Sequence, residues 1–164
     1  VTLPGGELFT SLQTGTIDAT EWVGPYNDLA FGLYKAAKHY YYPGWHEPGS
    51  MMELTVNKPA FESLPKDLQA IVTVAARAIN ADMLAEYTAR NNAALTELVE
   101  KHGVDVRELP ADVLNKLREL SEEVVAEVAA QDPASQKVYD SYRKFREGVV
   151  KYHAISEQSF INAR

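Results

Sequence analysis

From Lys66 to His102 apolar residues recur at helical spacing: Leu68, Ile71, Val72, Ala75, Ile79, Met83 and Tyr87 all follow one helix face. A stripe of that length cannot be divided into short strands, so it predicts one long helix along which the rest of the chain must pack. Ser63 stands where an N-cap belongs, and Gly103 where a left-handed residue stops a helix.

Upstream the character is different. Short helical and extended pieces alternate, each change marked by glycine or proline, the punctuation of a βα-type layered unit. Glu7 to Gln13 predicts a short helix burying Leu8 and Leu12 and closed by Gly15, and Thr16 to Trp22 predicts a strand. After a loop at Gly24-Pro25, Asn27 to Lys38 reads as a second helical stretch, followed by a strand over the aromatic run His39 to Tyr42 that Pro43-Gly44 ends. Met51 to Lys58 sets Met52, Leu54 and Val56 against Met51, Glu53, Thr55 and Asn57, the period of a half-buried strand.

Downstream, Val104 to Leu109 is a short strand, and Pro110 opens an amphipathic helix through Gln131 carrying Val113, Leu114, Leu117, Leu120, Val124 and Val128. Asp132-Pro133 separates it from a last helix, from about Ser135, with Val138, Tyr142, Phe145, Val149 and Tyr152 at alternating steps of four and three. The plain reading of that seam is packing within its own domain; the sharper one is packing on a partner chain. The fold class read from these elements is α/β.

Composition narrows the function classes. With 46% hydrophobic and 24% charged residues, a 164-residue chain can bury one core. A net charge of -7 with dispersed Lys and Arg argues against nucleic acid, whose phosphates need a basic patch. Cysteine is absent from the sequence, which removes disulfides and thiolate ligands, so a metal would be held by oxygen or imidazole. No uninterrupted apolar run approaches the ~20 residues of a membrane span, and the start at Val1, without the pattern of a signal peptide, suggests a processed protein or a fragment.

The chemistry concentrates in two segments. Glu21 and Trp22 lie where the predicted strand ends, the position at which α/β folds hold ligands. Adjacent strand residues point to opposite faces, so both side chains share a pocket only if the strand breaks at Gly24-Pro25; otherwise the Trp22 carbonyl serves. A carboxylate with a carbonyl oxygen suits sodium or calcium, ions that take oxygen ligands. The plain alternative is a core tryptophan with Glu21 in water. The second segment puts Trp45, His46 and Glu47 between two Pro-Gly pairs, in a loop of the sort that carries binding residues. Glu47 can complete the cation's oxygen set, whereas His46 reads as a solvated loop histidine. Nucleophile-elbow, Walker, H-E-x-x-H and dinucleotide motifs are missing, and nothing positions a scissile bond between Glu21 and Glu47 as a two-carboxylate hydrolase requires.

The run from Pro4-Gly-Gly-Glu through Gln13-Thr-Gly-Thr-Ile-Asp-Ala-Thr-Glu-Trp, with Tyr40-Tyr-Tyr-Pro-Gly-Trp, resembles the solute-binding receptors of tripartite ATP-independent periplasmic (TRAP) transporters. Within them it is most similar to the branch that binds 2-oxo acids and related monocarboxylates with a cation. The resemblance covers essentially the whole chain and about the C-terminal half of the family fold. It implies a periplasmic-binding-protein-like (type II) lobe, a short sheet covered by helices, with long C-terminal helices: residues 1–131 form the lobe and connecting helices, and residues 132–164 a C-terminal helix that can dimerise. It implies a periplasmic receptor rather than an enzyme, delivering its solute to a membrane permease. Glu21, Trp22 and Glu47 match positions around a sodium or calcium ion beside the ligand carboxylate, with Glu21, Trp22 and Trp45 toward the ligand. The arginine that fixes the carboxylate in the family lies N-terminal to Pro4-Gly-Gly-Glu, as does the first lobe, and this chain contains neither. The alternatives are a TRAP receptor for a dicarboxylate or sugar acid, or a helical dimerisation module without a ligand.

Overall fold

The long apolar stripe forms the helix it predicts, and the short sheet lies beside its C-terminal end. The computed structural model describes residues 1–49 and 52–164. In chain order the elements are α1 (Gly5–Gln13), α2 (Pro25–Phe31), a 3-10 turn (Leu33–Lys35), β1 (His39–Tyr42), α3 (Lys58–Glu62), α4 (Lys66–Glu100), β2 (Asp105–Glu108), α5 (Ala111–Ala129), α6 (Pro133–Ile155) and α7 (Glu157–Asn162). They fall into two compact units, Val1–Leu109 and Pro110–Arg164, so the helix from Ala111 groups with the C-terminal unit although the boundary expected from sequence lay at 131/132.

In the first unit β1 and β2 pair in parallel, His39 opposite Asp105 and Tyr42 opposite Glu108. The ladder is extended at both ends, where the Asp105 N–H donates to the Lys38 carbonyl at 2.9 Å and the Leu109 N–H to the Tyr42 carbonyl at 2.8 Å. Tyr40 and Val106, paired with each other, are the half-buried residues of their strands, while Tyr42 and Glu108 two positions on are exposed. Leu8, Leu33, Ala94, Leu98 and Val104 form the core here, with Leu98 only 2% exposed. α4 ends where Gly103 (φ +65°) turns left-handed: its N–H reaches the Val99 carbonyl and the Val104 N–H the Leu98 carbonyl, satisfying the last turn.

Along α4 the burial is one-sided by length. Ala94 and Leu98 are buried near its end, while Ile71, Val74, Ile79 and Leu84 upstream are 60% or more exposed. An 18-residue window of this helix has mean hydropathy 1.2, long and apolar enough by length and composition to cross a membrane. Arg77 and Asp82 break the uninterrupted apolar run without cancelling the average.

Several expected elements are corrected. Thr16 to Trp22 is not a strand: it bends back on the end of α1 over Thr16 to Asp18 and has no regular structure beyond; residues 52–57 likewise form none, and Met51 lies outside the described residues. A strand persists only where a neighbour completes its hydrogen bonds, and the sheet among the described residues has just β1 and β2. The stretch expected as helix to Lys38 stops at Phe31, because Gly32 adopts φ +71° and only a 3-10 turn follows. Ser63 does not cap α4, whose N-cap is Pro65; its hydroxyl donates to the Ala60 carbonyl at 2.8 Å and so closes the unexpected α3. Asn57 begins α3 by accepting the Ala60 N–H at 3.1 Å.

The second unit is helical. Asp132 accepts the N–H groups of Ala134 and Ser135 at 2.8 and 3.0 Å, starting α6 at Pro133, two residues earlier than expected. The contacts hold Asp132 below the usual carboxylate range, the Ser135 hydroxyl bond contributing most. Ala129 is its buried residue, and the seam on α6 is open: Val138 is 70% and Phe145 68% exposed.

Leu98→Ala is expected to lower unfolding free energy by about 2–5 kcal/mol through the cavity it leaves, whereas Leu84→Ala, at an exposed position, should change it by less than about 0.5 kcal/mol. Urea unfolding followed by circular dichroism checks both.

Candidate cation and carboxylate site

A cleft of about 1180 Å³ opens in the first unit, between the segment after α1, the loop that leaves β1 and the buried end of α4. Glu21, Trp22, Trp45, His46 and Glu47 all line it. The loop places its residues by a tight turn: a Cβ on Gly44 would meet the Glu47 carbonyl oxygen at 3.2 Å.

Glu21 and Trp22 diverge. The Trp22 ring packs against Phe31, centroids 4.8 Å apart, and sits so closely over α1 that a Cβ on Gly5 would lie 2.7 Å from its ring. Its indole N–H is buried without a hydrogen-bond acceptor. Glu21 turns the other way, toward the loop. There the ligand atoms of Glu21, His46 and Glu47 lie within 4.8 Å of one another, all three residues exposed. His46 Nε2 is 3.8 Å from Glu21 Oε2, and its ring leans on Trp45 at 4.9 Å. His46, expected as a solvated loop histidine, is exposed and also belongs to this group.

Beneath the lip lies Asp28, the one buried charged residue among the described residues. Its Oδ2 accepts the Tyr40 hydroxyl at 2.5 Å, and its Oδ1 accepts the Val23 and Gly24 N–H groups at 3.5 and 3.4 Å. Burial pushes the Asp28 carboxyl up from its ordinary value, opposed by the bond from Tyr40 and those from the two backbone N–H groups. Burial also drives the Tyr40 hydroxyl far above its ordinary range, with the Asp28 hydrogen bond and charge adding to it. From α4, Asn91 Oδ1 accepts the Tyr26 N–H at 2.9 Å and holds the start of α2.

The family model of bacterial extracellular solute-binding protein, family 7, matches residues 1–132. The chain belongs to that family. It is 39% identical over 160 residues to a monocarboxylate 2-oxoacid-binding periplasmic protein of a Nostoc species, an alignment that covers 98% of this chain and 44% of the relative. A TRAP periplasmic solute-binding protein from Colwellia psychrerythraea, solved with calcium and pyruvate, superposes with a TM-score of 0.94 at 36% identity, covering all of this chain and 50% of that one. Another from Pseudoalteromonas atlantica, solved with sodium and pyruvate, gives 0.92 at 38% identity, with the same two coverages. The family 7 chain therefore spans about half the length of the relatives it matches. The resemblance read from its motifs, and the periplasmic-binding-protein-like lobe it implied, are borne out.

Of the residues singled out in sequence, Glu21, Glu47 and Trp45 come to one lip of the family 7 cleft, while the Trp22 ring is committed to packing on α1 and α2. Sequence reasoning missed Asp28, Tyr40 and Asn91. Asp28 had one signal, an acid in the first turn of a helix begun by Gly24-Pro25; the reach of Tyr40 and Asn91 to that segment is tertiary.

The raised Asp28 fixes the sign of a pH effect. The unfolded carboxyl ionises first as pH rises, so between its ordinary value and the higher folded value the folded state loses stability. Asp28→Asn should abolish that fall. Unfolding free energies of parent and variant, measured from pH 4 upward, should therefore converge or cross in the variant's favour.

Proposed function

We propose that this chain is the cation-bearing lobe of an extracytoplasmic receptor for a small 2-oxo acid, such as pyruvate or a related hydroxy or keto monocarboxylate. The observation that carries the reading is the convergence of Glu21 and Glu47 within 4.8 Å at the lip of the cleft. Two carboxylates that close repel each other and a ligand carboxylate alike, unless a cation lies among them. Sodium and calcium take oxygen donors and tolerate irregular geometry, which fits Glu21, Glu47 and the backbone carbonyl of Trp22. The carbonyl is the Trp22 group assigned to the ion because the ring is occupied by Gly5 and Phe31. His46, a nitrogen donor, stands beside this set rather than in it. The relatives solved with pyruvate hold calcium in one case and sodium in the other.

The chain's own residues do the rest. Glu21 orients the ion-bound end of the ligand, and Trp22 forms the floor of the cleft. Trp45, 45% exposed on the loop, is free to cover the ligand's apolar carbon and exclude water. This is binding without bond activation, which supports a receptor in the periplasm rather than an enzyme. Such a receptor delivers its solute to the membrane permease of a TRAP transporter, and lobe opening releases it.

Residues 132–164 we assign to self-association. Val138, Tyr142, Phe145 and Tyr152 leave an apolar seam 58% to 70% exposed along α6, and a stripe of that kind marks an interaction surface. A homodimer through this seam buries it.

Glu21→Gln in the intact receptor is expected to weaken cation-dependent pyruvate binding by about 1–3 kcal/mol. Calorimetric titration with sodium, with calcium and with chelator checks it; affinity equal to the parent's removes the cation role, and preference for a dicarboxylate or a sugar acid removes the monocarboxylate one. Phe145→Asp should convert a sedimenting dimer to monomer without loss of pyruvate affinity. A parent that already sediments as monomer overturns the dimer.

A further inference from the structure

Glu21 and Glu47 are both exposed and far apart in sequence, so neither is held in position by burial of its own side chain. The two backbones that carry them must be brought together for the carboxylates to meet. One is the segment that ends in the turn at Val23–Gly24; the other is β1, which runs through Tyr40 to the loop of Trp45 and Glu47. Both segments are bound by the same carboxylate, the first through backbone N–H groups and β1 through the Tyr40 side chain. Asp28 Oδ1 accepts the N–H groups of Val23 and Gly24, immediately after Trp22, while Oδ2 accepts the Tyr40 hydroxyl. The two arms are unequal: the bond to Tyr40 is 2.5 Å and those to the turn are 3.4 and 3.5 Å. Asn91 fixes the same turn from the far side through Tyr26.

Resting on the cation reading above, we propose that Asp28 is the positioning residue of the cation site, bridging the Glu21–Trp22 segment to β1 through Tyr40 so that Glu21 and Glu47 meet one ion. A carboxylate is costly to bury, and the hydrogen bonds its two oxygens accept offset that cost. The chemistry also separates the variants. Asp28→Ala leaves the Tyr40 hydroxyl and two N–H groups without their acceptor. Asp28→Asn can still accept from the backbone with its carbonyl oxygen and donate to the Tyr40 oxygen with its amide. Tyr40→Phe removes the arm to β1 alone.

Terbium, a luminescent stand-in for calcium excited through tryptophan, tests this in the intact receptor, with calcium competition giving affinity and decay lifetimes in water and heavy water giving the waters left on the bound ion. Asp28→Ala and Tyr40→Phe are expected to weaken terbium and calcium by roughly 10- to 100-fold, the usual effect of losing a ligand's support. At saturation they should also leave more water on the ion than the parent does, because one carboxylate no longer reaches it. Asp28→Asn should restore both quantities toward parent values. A role in stability alone would lower the melting temperature and leave the hydration of the bound ion unchanged, which overturns the proposal. Parent-like affinity and hydration in Tyr40→Phe, with binding lost in Glu21→Gln, overturns it while the cation reading stands; this variant also serves if Asp28→Ala does not fold. A parent that binds neither terbium nor calcium, with or without pyruvate, overturns the cation reading and the positioning role together.

Discussion

Two parallel strands cannot be joined by a tight turn, and most of the first unit follows from that. β1 and β2 run the same way, so the chain leaving Tyr42 must travel back before Asp105 can pair with His39. The return is made by α4, whose last turns supply Ala94 and Leu98 to the core as it arrives. The same geometry puts the loop of Trp45, His46 and Glu47 at the carboxyl end of β1. That is where parallel sheets leave a crevice for ligands, since the connections there diverge. The position of the candidate site is thus a consequence of strand direction, not of the loop's own composition.

Within that crevice the electrostatics have two levels. At the lip, Glu21 and Glu47 stay in contact with water, so their charge is available to an ion. Below it, Asp28 is 8% exposed and opposed by burial, yet satisfied by a hydroxyl and two backbone N–H groups. In the site we propose, the exposed pair supplies charge and the buried carboxylate supplies geometry. Exchanging the two would fail on both counts, because a buried ligand pair would resist ionisation and an exposed strut would be loosened by water.

Apolar surface is unevenly covered. Upstream of Ala94, α4 exposes Ile71, Val74, Ile79 and Leu84, and α6 exposes Val138, Tyr142, Phe145 and Tyr152. Patches of this extent mark interaction surfaces in soluble proteins.

By itself the sequence determined the elements whose stability is local. The helical stripe of α4, the left-handed stop at Gly103, the proline that opens α5 and the aromatic β1 are legible because side-chain period and backbone preference act over a few neighbouring residues. It also carried the family motifs, and with them Glu21, Trp22 and Glu47. Tertiary structure alone decided what depends on a distant partner. Thr16 to Trp22 has the pattern of a strand and lacks a neighbour to pair with; the Trp22 ring turned to Gly5 and Phe31 and left its carbonyl for the site. His46 joined Glu21, and Asp28 found Tyr40, through folding of the chain between them. A hydrogen bond between residues far apart in sequence leaves no period behind it, so only the folded chain reveals which carboxylates come together at the lip and which one is buried beneath them.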